Sequence, residues 1–418
     1  MGCLSVPKTF VTFIPLCEKK TSVMHIALCT PITINLFDRL VEHSSPLIKG
    51  YAYPLAFFLA SMLFDRNHRV TVITQTFEIQ QKQEWWSLDR RLHVIAIPRR
   101  RIQFSCLDAY HREVRMMRQE LIACQPDVVH AQWTYEFADA GLSSGLPCLV
   151  TANDAPWIIA RQFHSLYRLY RAIYESIWIA PRISYMTSVS THIDSVFRKE
   201  PFFKPQKTWV VPNGIDAQFV VKCPKQRVVN PLSPVFFDVS AWNGLKNPIP
   251  LLYAFQHVRS VLPAARLCLV GLSIGRKTVL ERHAVRNNLL EGVELIEPLS
   301  YLNLLRFLEE QVDVVVHTSR EESFSMIVLE SMAKGIPVIG GKRSGAIPYV
   351  LGDGNAGVLV DIQSPRELAD AMLRLVQDNV FYQHITTQAL AYVRKCFLMD
   401  NIVADYERIY EEIYTGVL

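Results

Sequence analysis

Short runs of β-branched and other apolar residues alternate with segments of helical period along almost the whole 418-residue chain. This alternation constrains the fold more than any other feature. Successive strands joined through helices run parallel, because only a crossover of a dozen or more residues can return the chain to the same edge. The runs at 24–29, 69–74, 92–97, 128–130, 148–151, 183–188 and 208–211 predict one series of strands. Those at 235–240, 266–270, 293–296, 312–318, 337–340 and 358–360 predict a second. Helices are expected between them, for example over 54–66 and 108–124. Residues 218–233 carry Pro224, Pro231, polar side chains and little periodicity, which places a linker there. The expected class is therefore α/β, with two doubly wound, Rossmann-like domains over 23–217 and 234–398 that face a central cleft. Residues 1–22 are read as an N-terminal extension. Sheets of this kind bind ligands at the carboxyl ends of their strands.

Composition removes several other classes. Half the residues are apolar and 20% are charged, which suits packed cores and excludes a disordered chain. The nine cysteines contain no C-x-x-C pair and read as reduced thiols, so a cytoplasmic protein is expected. Lys8, Glu18, Lys19 and Lys20 break the first apolar stretch, which argues against a secretory signal. The uncharged stretch 51–64 contains Pro54 and is shorter than the ~18–20 residues of a membrane span. Net charge is +6 over residues 1–217 and −1 over 218–418. That excess is small and comes with no nucleic-acid-binding module, so no nucleic-acid partner is expected. Gly352–Gly357 fits G-x-G-x-x-G and Gly141–Gly145 fits G-x-S-x-G, but both precede strands, where neither a dinucleotide turn nor a nucleophile elbow can form.

The segment richest in chemistry runs from His317 to Ile339. A strand ends near Thr318, a polar loop follows, and Ser325 is placed to cap a helix that Gly335 stops. The N–H groups of Met326 and Ile327 would open that helix, a ready site for phosphate. Glu322 lies in the loop and Glu330 two turns along the helix. Two ionised carboxylates so placed can accept hydrogen bonds from sugar and ribose hydroxyls. Read singly, these acids would be an ordinary solvated face.

Taken together, Glu322, Glu330 and the continuation Ser331-Met332-Ala333-Lys334-Gly335-Ile336-Pro337 resemble the E-x7-E motif of retaining GT-B glycosyltransferases, family 4. The stretches Asp127–Gln132, Gly145–Thr151 and Val211–Asp216 are similar to the family's first-domain patterns, and Ser344–Pro348 to its Gly-Gly-x-Pro-Glu loop, with Tyr349 in place of Glu. The resemblance implies a GT-B fold whose last helix, 399–418, crosses back onto the first domain. It implies transfer of a sugar from a UDP- or GDP-sugar donor, bound by the second domain, to a saccharide or lipid-linked acceptor bound by the first, in polysaccharide or glycolipid assembly. The donor side would comprise Lys246, Gly271, Glu322, Ser325, Met326, Ile327 and Glu330, with Lys246, Glu322 and Asn153 nearest the chemistry. The acceptor side would comprise Gly50, Tyr51, His130 and Asp154, with His130 ending its strand at the cleft.

Two positions depart from the family. Ala241 stands where a second cation, an arginine, is expected, leaving Arg320 and Arg343 as neighbours in sequence that could replace it. Asn153 stands where a histidine is usual; it can hydrogen bond but carries no proton at neutral pH. No D-x-D occurs, so no metal and no cofactor are expected, and Lys246 would face the diphosphate. Other readings are a weakly catalytic sugar-nucleotide-binding paralogue, or another GT-B activity such as a nucleotide-sugar epimerase. Over 161–178, one helix is expected with Arg161, His164, Arg168, Arg171 and Glu175 as a single polar stripe among aromatic residues. Such a face, with Arg99-Arg100-Arg101, could meet an anionic membrane surface.

Overall fold

The computed structural model describes residues 22–42, 47–51, 53–163, 165–223, 232–241, 243–271 and 279–416. The expectations for 1–21, for His164 and for the middle of the linker, 224–231, lie outside the described residues.

The first sheet contains β1 (His25–Cys29), β2 (Arg69–Thr76), β3 (Gln83–Trp86), β4 (Leu92–Pro98), β5 (Val128–Gln132), β6 (Cys148–Ala152), β7 (Tyr185–Ser188) and β8 (Lys207–Val210). Their order is β3-β4-β2-β1-β5-β6-β7-β8. All pairs are parallel except β3, which lies antiparallel on β4. The sequence does not predict β3, because Gln83 and Glu84 offer half-exposed edge positions rather than an apolar run. The second sheet contains β9 (Val235–Val239), β10 (Arg266–Val270), β11 (Val293–Ile296), β12 (Val314–His317), β13 (Val338–Gly341) and β14 (Val358–Val360). Its order is β11-β10-β9-β12-β13-β14, parallel throughout. In each sheet the order reverses beside the first strand, which leaves a crevice at the carboxyl ends.

Near-continuous burial along β2, β4, β5, β6 and β12 is what a sheet covered on both faces requires. The helix Met399–Thr415 closes the molecule. It packs its buried Ile402, Val403, Tyr406, Ile409 and Tyr410 against the first sheet and the helix Leu55–Asp65. Polar contacts fix its register: Glu407 accepts from Arg66 at 2.7 Å and lies 2.9 Å from the buried His68 ring. The helix packs closely on Gly214, where a Cβ would lie 2.8 Å from the Met399 sulfur and 3.1 Å from its Cα.

Three local expectations need correction. The helix expected over 108–124 begins three residues late, at His111, and ends at Cys124 as expected, because Ala109 and Tyr110 adopt positive φ before it; a separate short helix, Ile102–Leu107, precedes it. The helix expected over 161–178 is also two, Pro156–Phe163 and Leu166–Tyr174, followed by a wide π turn at Glu175–Ile179. The expected polar stripe is broken as well. Arg171 and Glu175 turn inward and are buried, while Leu166 (85% exposed), Ile177 (63%) and Trp178 (58%) face outward.

Candidate functional site

The carboxyl ends of β9 and β12 carry two loops that lock onto each other. The Arg320 N–H donates to the Leu245 carbonyl at 2.8 Å, and the Thr318 hydroxyl donates to the Lys246 carbonyl at 3.1 Å. The Lys246 N–H is held in turn by the Asn243 side chain at 2.9 Å. A third loop, after β13, closes on the pair, with the Ala346 N–H on the Glu322 carbonyl at 2.8 Å. Gly345, at φ +58°, is needed in that loop, because a Cβ would run into Glu321 and the Glu322 backbone. Gly271, at the end of β10, lies against the Ser240 carbonyl so closely that no side chain fits.

These clamps bring Lys246 and Glu322 together. The Lys246 ammonium donates to Glu322 Oε1 at 2.7 Å. The same oxygen lies 3.1 Å from Nε2 of His317, whose Nδ1 is 3.3 Å from Asp238 Oδ1 on β9. Burial alone would raise the Glu322 carboxyl, but His317 and Lys246 outweigh it and hold it well below the usual carboxylate range. Burial alone would depress His317, yet Asp238 and Glu322 raise it to about 9, so the ring is protonated at neutral pH. Asp238 is itself pushed up by burial, with His317 opposing.

Glu330 differs. It is buried in the helix Met326–Ala333, and burial pushes its carboxyl up to about 8 against the pull of the nearby Tyr301 hydroxyl. The expectation of two ionised carboxylates is therefore corrected: Glu322 is ionised at neutral pH and Glu330 is held towards its protonated form. Ser325 does not cap the helix either. Its φ is +82°, and its hydroxyl lies 3.4 Å from His317 Nε2 instead. The first turn starts at Met326 and Ile327, as expected. Arg320 and Arg343 do not join the cluster: Arg320 bonds Asn247 at 3.2 Å, and the exposed Arg343 bonds Asp361 at 2.6 Å.

A cavity of about 110 Å³ lies where this loop cluster meets the first domain, lined by Lys246, Glu321, Glu322, Ala155, Ile159 and Gln162 among others. Two contacts cross beside it, Ser190 donating to the Ser323 carbonyl at 2.7 Å and His192 approaching Glu321 at 2.6 Å.

On the first domain the expected residues do not form one cluster. Gly50 has φ +71°, and a Cβ there would lie 2.6 Å from the Ile32 carbonyl; its N–H and that of Lys49 are both held by Glu78. The Tyr51 hydroxyl accepts from Arg99. Asn153 accepts from Tyr53 at 3.1 Å beside a second, smaller cavity, and its buried amide nitrogen has no hydrogen-bond partner. Asp154 accepts from Tyr135 at 3.2 Å, and burial raises its carboxyl.

His130 needs correction. β5 continues two residues beyond it, so it lies within the strand rather than at the cleft. Fully buried under the closing helix, it touches the Tyr410 hydroxyl at 2.7 Å and Thr151 at 2.6 Å. Burial lowers it to about 3, as suits a neutral core residue.

The sequence reading also missed a buried polar group at the strand ends. Arg99 and Arg171 both reach Glu136, at 3.5 and 3.4 Å, and Arg171 stacks 3.4 Å over the Tyr135 ring. The runs of arginine were the available signal, but periodicity placed them on the surface. Among the described residues, no group of three or more His, Cys, Asp or Glu is arranged to hold a metal, and no helix is long and apolar enough to cross a membrane.

Two family models match the chain, "Glycosyltransferase Family 4" over residues 55–219 and "Glycosyl transferases group 1" over 224–391. N-acetyl-alpha-D-glucosaminyl L-malate synthase of Bacillus anthracis is 28% identical over 189 residues, 45% of this chain and 48% of that protein. The chain thus spans about half the length of that curated relative. Sucrose-phosphate synthase from Thermosynechococcus elongatus superposes with a TM-score of 0.71 at 16% identity, covering 94% of this chain and 99% of that one. The Anabaena protein HepE in complex with UDP-glucose superposes at 0.64 and 18% identity, covering 93% of this chain and all of that one.

Proposed function

The chain belongs to the GT-B glycosyltransferases of the family 4 type, and on that premise we propose that it moves a sugar from a UDP- or GDP-sugar to a saccharide or lipid-linked acceptor with retention at the anomeric carbon. The observation that carries this reading is the clamp that holds Lys246 and Glu322 at one cavity between the two domains. A carboxylate held ionised there accepts hydrogen bonds from sugar hydroxyls, and an ammonium within reach meets the charge that builds on a leaving diphosphate. The first turn at Met326–Ile327 adds roughly half a positive charge. Glu330, about one turn into the same helix, takes the ribose, and Gly271 at the end of β10 completes the donor side. Asn153, at the second cavity, and Asp154 belong to the acceptor side, with Gly50 and Tyr51. The UDP-glucose complex of HepE, a similar fold, supports a nucleotide-sugar donor.

Protein groups supply the offsetting charge in this reading, so transfer proceeds without a divalent ion. Sugar transfer assayed in excess chelator should persist, and the product's anomeric signal should match the donor's. Activity abolished by chelation and restored by Mn²⁺ or Mg²⁺, or an inverted product, would contradict it.

The outward apolar residues favour a lipid-linked acceptor. Leu166, Leu169, Ile173, Ile177 and Trp178 are exposed, with Arg161 and Arg168 beside them. Such a face inserts shallowly into an anionic surface at the cytoplasmic side of a membrane.

A further inference from the structure

If the cleft binds a donor diphosphate as proposed, its ion pair raises a difficulty. Lys246 is already bonded to Glu322 at 2.7 Å. A lysine that turns to a diphosphate loosens its hold on that carboxylate, and a buried charge stripped of its partner is strongly unfavourable. Ala241 leaves no arginine to take over, and Arg320 and Arg343 are bonded elsewhere. Among the described residues, the cation that remains beside Glu322 is His317.

We propose that His317 is a positioning residue for Glu322: gripped by Asp238 on one ring nitrogen, it stays with Glu322 as counter-ion when Lys246 swings to the donor diphosphate. This inference rests on the donor reading above.

The geometry suits such a hand-off. His317 is completely buried at the end of β12, so its ring cannot follow a ligand. Its two nitrogens are divided between two carboxylates on different segments, Asp238 on β9 and Glu322 in the loop. A ring shared this way has to be protonated to donate to both. The groups facing it are Asp238, Glu322 and the Ser325 hydroxyl, with Lys246 beyond Glu322. Ionised, His317, Lys246, Asp238 and Glu322 sum to zero net charge, so this cluster carries no excess to repel a dianion. Lys246, by contrast, is 28% exposed on a flexible stem and is the one member free to move. The clasp also fixes which carboxylate oxygen of Glu322 is occupied: Oε1 takes both cations.

Histidine NMR and calorimetry on the full chain test this, with UDP and GDP as probes and uridine or guanosine as controls. In the free wild type the His317 ring should be protonated at pH 7.5 and titrate near pH 9. A neutral ring at pH 7.5 overturns the proposal without any variant. Diphosphate binding should weaken about tenfold relative to nucleoside binding as pH rises through that value. His317→Gln should bind the diphosphate roughly tenfold more weakly at pH 7 and lose the pH dependence, with nucleoside binding unchanged. His317→Gln with wild-type affinity and the wild-type pH profile would overturn the hand-off while leaving the donor reading intact. Should the wild type bind neither UDP nor GDP, the donor reading fails and the hand-off with it, even over a protonated ring. Should His317→Gln not fold, Asp238→Asn serves: the ring titration should fall below that of the wild type, and an unchanged titration counts against the clasp.

Discussion

The two sides of the cleft are built on different principles. At the ends of β9, β12 and β13, three loops are tied to one another by backbone hydrogen bonds, and their ionised groups meet on a single carboxylate oxygen. Past the end of β6, two polar residues are instead held by tyrosines, Asn153 by Tyr53 and Asp154 by Tyr135. The first arrangement is rigid and charged, as suits a donor whose diphosphate is constant. The second presents tyrosine hydroxyls, an amide and a carboxyl, a surface on which different acceptors could be read. The contrast teaches that the proposed donor side depends on backbone clamps as much as on its acids.

The sharpest way to break this contrast is to unmake the shared carboxylate. Glu322→Gln should lower sugar transfer by about 10²–10³-fold, the scale of a lost preorganised charge in a transition state. Asn153→Ala should lower it by far less, and equal losses would remove the distinction between the sides.

His130→Ala should act on stability alone. It deletes a buried ring and takes a partner from the buried Tyr410 hydroxyl, at about 2–4 kcal/mol, with nucleotide binding unchanged in the folded fraction. Because His130 is buried neutral, its folded value of about 3 lies below the unfolded one. Its contribution is present above pH ~6.5 and lost as pH falls towards 3. Chemical denaturation at pH 7 and 5 checks both points.

A smaller effect separates the two acids of the helix and loop. If Glu330 accepts ribose hydroxyls, it must ionise on binding, so nucleoside binding at pH 7 should release up to one proton and none above about pH 9. Calorimetry in buffers of different ionisation enthalpy measures this. In the free protein the raised value means stability is present below the unfolded pKa and lost as pH rises through 8. Glu330→Gln should therefore be more stable than wild type at pH 9, and a less stable variant would contradict the burial argument.

The smallest effect concerns the first domain's outer face. Sedimentation with anionic vesicles should be clear at low salt and fade towards 1 M, where screening shortens to about 3 Å. Leu166→Asp should reduce it several-fold; no binding at low salt sinks the membrane reading.

Parallel α/β architecture and nearly every strand were legible because buried parallel strands are short, apolar and evenly spaced. The strand β3 was not, since antiparallel edges tolerate polar residues. On the donor side the family resemblance placed Lys246 and Glu322 at one cleft, but not the ion pair between them. His317 and Asp238 did not stand out, because a histidine or aspartate at a strand end has no periodic signature and acquires meaning only from its neighbour strand. Helical period failed at 161–178 for a definite reason: the break before Leu166 and the π turn at Glu175 rotate successive faces, so a stripe drawn at constant pitch mixes buried and exposed positions. His130 shows the remaining limit. Two more strand residues moved it from the rim to the core.

The claim at the centre is that Lys246 reads a diphosphate at the ends of β9 and β12. Calorimetric titration of Lys246→Ala against wild type, with uridine and UDP (guanosine and GDP if the wild type prefers them), addresses it most directly. The diphosphate should bind about 10–100-fold more weakly to the variant, the loss of one charge-assisted contact, while the nucleoside binds as before. Equal weakening of both ligands, or of neither, would contradict the assignment.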